Sequence, residues 1–365
     1  MNVALVISSL SSGGAERVLS LMANYWAERD WQVIIVTLSG SDDDFYPLDP
    51  RIRRLGLNVL RASANPWQSL RNNLYRIIRL RQALTELSPQ AVISFMDLTN
   101  ILTLVAVAGS RIPVVVSERI DPAYADLGRL RSWLRRKLYP RAAAVVLQTE
   151  RVREWAADFV PPHKLHVIAN PLATTDQGEV TDVAMPLPGR TVLAVGRLTE
   201  QKGFDLLIQA FAATGREDWS LLILGEGEQR PQLQTLISTL GMEQRIILKG
   251  RVNNVQQYLH KVDLFVLSSR HEGFPNALLE AMSVGLPVIS YDCPSGPAEI
   301  IRHEESGLLL PPGHIEALTA ALARLMGDAS LRSRLGKSAR TVNERFAIDK
   351  IMLQWQKLID NVVIS

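Results

Sequence analysis

The chain has 365 residues, 47% hydrophobic and 21% charged, an ordinary globular composition with enough length for two cored domains. Its single cysteine, Cys293, excludes an internal disulfide framework and fits a reducing compartment. The net charge of +3 is uneven, with the basic excess in residues 1–175 and a net acidic remainder, and the ordinary aromatic content without a recognition motif argues against nucleic acid as partner.

From the N-terminus, Met1 to Ile7 lacks a basic leader region and a cleavage signal, so it reads as a buried first strand. Short β-branched apolar runs then alternate with helical patterns, which predicts parallel α/β units. Strands are expected at Val3–Ile7, Gln32–Thr37, Ala91–Phe95, Val114–Ser117 and Ala144–Leu147, and again at Val192–Val195, Ser220–Leu224, Arg245–Leu248, Leu264–Leu267 and Pro287–Ser290. The longest apolar stretch, Ile101 to Gly109, is too short to span a bilayer. Two doubly wound α/β domains facing each other would leave a cleft at their strand carboxyl ends. The expected division is 1–175 for the first domain, a polar, proline-bearing linker at 176–190, 191–345 for the second domain, and a final helix within 346–365.

Several segments carry candidate chemistry. Gly13 and Gly14 sit between the first strand and a helix, where glycine lets backbone approach a phosphate; a plain tight turn explains them equally. The G-x-G-x-x-G fingerprint is missing there, which counts against a nicotinamide dehydrogenase. Asp42, Asp43 and Asp44 read as a polar loop. Arg71, Arg76 and Arg79 oppose Leu80, Leu84 and Leu87 on a predicted helix. Glu118 and Arg119 follow the fourth strand, either to orient a sugar or acceptor or as a structural ion pair. Between Arg129 and Arg141 there is no acid, and helical spacing gathers Leu130, Trp133, Leu134 and Leu138 on one face, with most of the arginines opposite. Such basic helices suit an anionic membrane surface or a phosphate, or else pack on a core with a solvated arginine face.

In the second half, Arg197 and Lys202 follow a strand, as a diphosphate site requires, although solvated loop charges would look the same. Arg251 and Val252 end another strand, as a base pocket or an ordinary turn. Glu272 and Glu280 bracket Gly273, Phe274, Pro275 and Asn276, with Pro275 expected in the first turn of a helix and Glu280 inside it. Carboxylates there accept from hydroxyls, and amides at a helix start donate to anionic oxygens.

The spacing from Glu272 to Glu280 resembles the E-x7-E motif of the retaining glycosyltransferases of family 4, which have the GT-B fold. Val195 to Phe204 resembles that family's phosphate-binding Arg and Lys, and Ser11 to Arg17 resembles its N-terminal Gly-Gly loop. The resemblance implies that the second domain binds a nucleotide sugar, UDP-linked, and the first an acceptor. Arg197 and Lys202 would hold the leaving diphosphate, Glu280 the ribose, Glu272 the transferred sugar, the Gly273–Asn276 backbone and Gly13 and Gly14 the donor, and Arg251 and Val252 the base. Some members carry a histidine near Glu118 and Arg119; here it is absent, which leaves the task of those two residues open. The final helix would cross back to the first domain. No cofactor and no metal are implied. The group resembled comprises bacterial enzymes that extend polyprenyl-diphosphate-linked oligosaccharides, including N-acetylgalactosaminyltransferases of N-glycan assembly. A lipid-linked saccharide acceptor and a cytoplasmic, peripheral position on anionic membrane follow, with Arg71, Arg76 and Arg79 toward the acceptor. The alternatives are a nucleotide-sugar epimerase of the same fold and a non-catalytic sugar-nucleotide-binding subunit.

Overall fold

The computed structural model describes residues 1–41, 44–61, 64–122, 124, 128–172, 185 and 189–364. Asp42 and Asp43, and nearly all of the expected linker, lie outside the described residues; Arg190, assigned to that linker, opens a strand instead. The chain divides into two compact units, Met1–Pro171 with Asp349–Ser365, and Leu172–Ile348.

The first unit holds a seven-stranded parallel sheet in the order β3-β2-β1-β4-β5-β6-β7. Its strands are β1 (Asn2–Ile7), β2 (Gln32–Thr37), β3 (Arg53–Gly56), β4 (Ala91–Phe95), β5 (Val114–Ser117), β6 (Ala144–Leu147) and β7 (Leu165–Val167). The second unit holds six parallel strands in the order β10-β9-β8-β11-β12-β13. They are β8 (Arg190–Val195), β9 (Trp219–Leu224), β10 (Ile246–Gly250), β11 (Leu264–Leu267), β12 (Val288–Tyr291) and β13 (Leu308–Leu310). Val3–Ile7 of β1 and all of β4 are buried, without the alternation of a sheet that has one solvated face, and Ser94 is the one polar side chain among them. In both sheets the strand order reverses beside the first strand, at β1/β4 and at β8/β11. Open α/β sheets take ligands at such switch points.

β3, β7 and β13 were not expected from the sequence, and all three are edge strands of three or four residues. One helix turns an arginine inward and leaves part of its apolar face outward. In Gly128–Leu138, Leu130 and Trp133 are 69% and 55% exposed, while Arg135 is buried. A buried carboxylate at the end of β5 supplies the reason, as described below. Pro275 sits at the N-cap of the helix Asn276–Ser283, with ψ of 84° outside the helical range, and not in its first turn. The C-terminal helix Ile348–Ile364 packs in the first unit. There Trp355 stacks on Phe95 with ring centroids 6.4 Å apart, and Asp349 accepts from Tyr25 Oη and Arg29 Nη2 at 2.8 and 3.0 Å. Among the described residues no helix is long and apolar enough to cross a membrane.

Candidate active site

In the second unit the loops after β8 and β11 are stitched together side by side. Arg270 N–H donates to Gln201 O at 2.8 Å, Gln201 Nε2 to His271 O at 2.9 Å, and Ser268 Oγ to Lys202 O at 2.9 Å. The Arg270 guanidinium spans Asp205 Oδ1 and Oδ2 at 2.9 and 2.7 Å and also reaches Glu200 O. This approach requires glycine at 203: its φ is +60°, and a Cβ there would strike Ser268 O. Gly225, after β9, has a φ of +144°, and a Cβ there would strike Gly196 O, so a third loop lies against the first. From this frame Lys202 Nζ donates to Glu272 Oε1 at 2.6 Å, and Ser269 Oγ donates to the same oxygen at 2.6 Å. A lysine and a glutamate 70 positions apart thus meet at the β8/β11 switch point, with the carboxylate buried.

The remaining second-unit candidates divide by environment. Arg197 is exposed, and its guanidinium has no hydrogen bond or ion pair among the described residues. Glu280 lies inside the helix Asn276–Ser283 and is buried, so it is not a solvated surface charge. Phe274 is buried edge-on against Phe346, 5.8 Å between centroids, and anchors the loop that carries Glu272. Gly273 and Asn276 are half-buried, and Pro275 is buried against Gly296. Arg251 is exposed and Val252 half-buried, just past β10. Sequence reasoning missed Ser269, whose only signal is its place three residues before Glu272, and the Arg270–Asp205 fork. Burial pushes the Cys293 thiol up to about 12, with the Glu272 charge adding to the shift, so this cysteine is no nucleophile at neutral pH.

In the first unit, Gly13 has an ordinary extended backbone, and a Cβ there would strike the side chain of Glu16; Gly14 is the first residue of the helix Gly14–Ala27. Glu118 and Arg119, at the end of β5, do not pair with each other. Glu118 Oε2 accepts from Tyr139 Oη at 2.8 Å and from Arg135 Nη1 at 3.3 Å, and Asn100 Nδ2 donates to Tyr139 Oη at 3.1 Å. Burial raises the Glu118 carboxyl to about 7, against the opposing pull of Arg135 and Tyr139. That buried carboxylate needs a cation, so Arg135 turns inward, with Trp155 under its guanidinium at 4.4 Å. Arg119 stacks over Phe95 at 4.1 Å and donates through Nη1 to Asn170 Oδ1 at 2.6 Å. On the helix Pro66–Leu87, Arg76 is held by Val59 O, Asn73 Oδ1 and Arg61 O, while Arg71 and Arg79 are exposed.

A lysine–carboxylate pair thus sits at the switch point of one parallel sheet, in a chain that carries a second such sheet. Residues 182–342 match the family model "Glycosyl transferases group 1", and residues 13–171 match the model "Glycosyl transferase 4-like domain". An Anabaena protein, HepE, solved in complex with UDP, superposes with a TM-score of 0.80 at 18% identity, covering 99% of this chain and 100% of that one. The chain is a glycosyltransferase of the GT-B fold. Within that class it is similar, at 28% identity over 365 residues and 99% of both chains, to the GalNAc-alpha-(1->4)-GalNAc-alpha-(1->3)-diNAcBac-PP-undecaprenol alpha-1,4-N-acetyl-D-galactosaminyltransferase of Campylobacter jejuni. It is also 37% identical over 227 residues to an exopolysaccharide phosphotransferase of Streptomyces coelicolor, of which the match covers 24%.

Proposed function

We propose that the protein is a retaining, metal-independent transferase that moves a hexose or N-acetylhexosamine from a UDP-linked donor to a lipid-linked oligosaccharide at an anionic membrane surface. The observation that carries this reading is the meeting of Lys202 and Glu272 at the β8/β11 switch point, with the unpaired Arg197 in the same strand-end loop as Lys202. The two cations meet the donor's diphosphate and stabilise the charge that develops as it leaves, commonly the largest catalytic contribution. Glu272, fixed by Ser269 and Lys202, accepts from the sugar's hydroxyls, and Glu280 accepts from the ribose. The acceptor hydroxyl attacks on the face that the diphosphate leaves, and a diphosphate oxygen takes its proton. With two cations and helix-start amides in place, charge neutralisation needs no metal ion. The UDP complex of the Anabaena protein supports the donor, and the Campylobacter relative supports the acceptor class.

The membrane reading draws on a surface of the first unit. On the helix Pro66–Leu87, Trp67, Leu70, Leu74 and Ile78 are 81%, 63%, 57% and 46% exposed, at spacings of three and four residues that share one face. Leu130 and Trp133 are exposed on the helix Gly128–Leu138, and Arg71, Arg79, Arg129, Arg131, Arg136 and Lys137 are exposed on the same two helices. Apolar side chains ringed by cations suit a headgroup boundary, where each cation near anionic lipid contributes about 1 kcal/mol.

Titration calorimetry with UDP, GDP and ADP, with and without EDTA, tests the donor site. UDP is expected to bind most tightly, to ignore EDTA and to lose at least tenfold in affinity in Arg197→Ala. Absence of binding to any nucleotide removes the donor reading, and loss of UDP binding with EDTA removes metal independence.

A further inference from the structure

Among the described residues, Arg119 is the arginine with two buried guanidinium nitrogens that lack a partner. Its Nη1 is bonded to Asn170, but Nε and Nη2 are both buried and have no hydrogen-bond partner among the described residues. These two nitrogens form one edge of the guanidinium, the edge that grips two oxygens at once. In three other arginines that same edge is filled by a carboxylate. Arg54 holds Asp44 through Nε and Nη2 at 2.7 and 2.8 Å, Arg51 holds Asp49 at 2.9 and 2.7 Å, and Arg216 holds Asp218 at 3.1 and 3.2 Å. Arg119 is 7% exposed, so its charge is taken from water, yet the adjacent carboxylate, Glu118, is committed to Arg135 and Tyr139.

The surroundings fix the fork rather than fill it. Phe95 lies under the plane at 4.1 Å, and Trp355 of the C-terminal helix lies 5.9 Å away. Asn170 Oδ1, which anchors Nη1, is itself held by Gln148 Nε2 at 2.7 Å. Immediately after Phe95, Met96 has a φ of +77° and a ψ of 145°, a conformation rare for any residue but glycine. Its backbone is pinned from both sides, N–H to Ser117 O at 3.2 Å and C=O from Asn100 N–H at 2.8 Å. Strain and a buried guanidinium edge without a hydrogen-bond partner thus coincide at the carboxyl ends of neighbouring strands, β4 and β5, beside the β1/β4 switch point. Burial also pulls the Arg119 guanidinium down to about 9.

We propose that Arg119 is the oxyanion-binding residue of the first unit, and that its free edge takes a phosphate group in side-on, bidentate fashion. A neutral sugar hydroxyl supplies no charge to balance the guanidinium, whereas a phosphate supplies both the charge and the paired oxygens. The choice of phosphate over carboxylate rests on the transferase reading; the oxyanion site itself does not. Two substrates of that reading carry phosphate, the nucleotide donor and the lipid-linked acceptor, and the test separates them.

Inorganic pyrophosphate is titrated into the full-length protein after the donor site has been saturated with UDP, for wild type, Arg119→Lys and Arg119→Met. Wild type is expected to bind one further pyrophosphate. Arg119→Lys keeps the charge but loses the fork, and binds at least tenfold more weakly; Arg119→Met loses the site. Arg119→Met without ligand is expected to melt no lower than wild type, because it removes a buried charge two of whose nitrogens have no hydrogen-bond partner. Wild type binding no second pyrophosphate, or both variants binding it as wild type does, overturns the proposal. So does a lower melting temperature in Arg119→Met with unchanged pyrophosphate binding, which leaves Arg119 a stacking residue only. In turnover assays of Arg119→Lys, a rise in KM for the lipid-linked acceptor alone assigns the phosphate to the acceptor, and a rise in donor KM alone assigns it to the donor. If UDP does not bind wild type, the donor reading fails by itself, and pyrophosphate is then titrated alone to decide on Arg119.

Discussion

In the second unit the Lys202 ammonium and the Glu272 carboxylate satisfy each other across the β8/β11 switch point, and Ser269 fixes the shared oxygen. Beside the β1/β4 switch point of the first unit, Glu118 turns away to Arg135 and leaves Arg119 without a carboxylate. Both units are parallel sheets with their charged residues at the strand carboxyl ends, so architecture does not cause the difference. It lies in which long-range partner each loop meets. The second unit is organised before any ligand arrives, through backbone-anchored loops and a glycine at 203 that no other residue replaces without strain. The first unit keeps its polar strand ends less completely paired and carries the apolar, basic outer face.

If the second unit carries the chemistry and the first the placement, variants in each should fail separately. The largest effect is expected for Lys202→Ala, with kcat/KM lowered by about two orders of magnitude or more, close to 3 kcal/mol of transition-state stabilisation. Binding to anionic vesicles should not change in that variant, and near-normal turnover would remove the leaving-group role. Next, Trp67→Ser with Leu70→Ser should weaken co-sedimentation with phosphatidylglycerol vesicles by about tenfold per residue, since each large apolar side chain withdrawn from water is worth about 1.5–3 kcal/mol. UDP affinity and melting temperature should stay at wild-type values, because both side chains are exposed. Unaltered vesicle binding would make this face an ordinary solvated surface.

The smallest effect concerns Glu118. Burial raises its carboxyl from 4.5 to about 7, so between those values the folded protein holds a proton that the unfolded chain has released. Its stabilising contribution is complete below about pH 4.5 and is lost as pH rises through about 7. Glu118→Gln should therefore flatten the pH dependence of the melting temperature across that window, by about 1–3 kcal/mol in stability. An unchanged slope would show that the carboxyl titrates normally.

The central strands were legible in the sequence because both of their faces are buried and the chain there is apolar without interruption, as in Val3–Ile7. Edge strands were not. Arg53-Arg54-Leu55-Gly56 carries no hydrophobic signal, and only its pairing with β2 makes it a strand. For the candidate site, the places of Lys202, Glu272 and Glu280 on strand-end loop and helix were readable from local spacing. The direction of Arg135 was not. Periodicity grouped Leu130 and Trp133 on one apolar face, but Arg135 is turned inward by a carboxylate 17 positions earlier in the chain, and a one-dimensional pattern holds no record of that partner. Ser269 escaped for a similar reason: a serine in a loop gains meaning only once the Glu272 oxygen is 2.6 Å away.

The place of the C-terminal helix has a consequence for biogenesis. The first unit is discontinuous in sequence, closed only when Trp355 reaches Phe95, whereas the second is one uninterrupted segment. A ribosome therefore delivers every strand of the first sheet early and withholds the helix that covers it until the whole second unit has emerged. During that interval the Phe95 ring lacks the Trp355 ring that stacks on it in the folded protein. Truncation ahead of Trp355 would hold the first unit in that incomplete state and leave the second unit's segment whole.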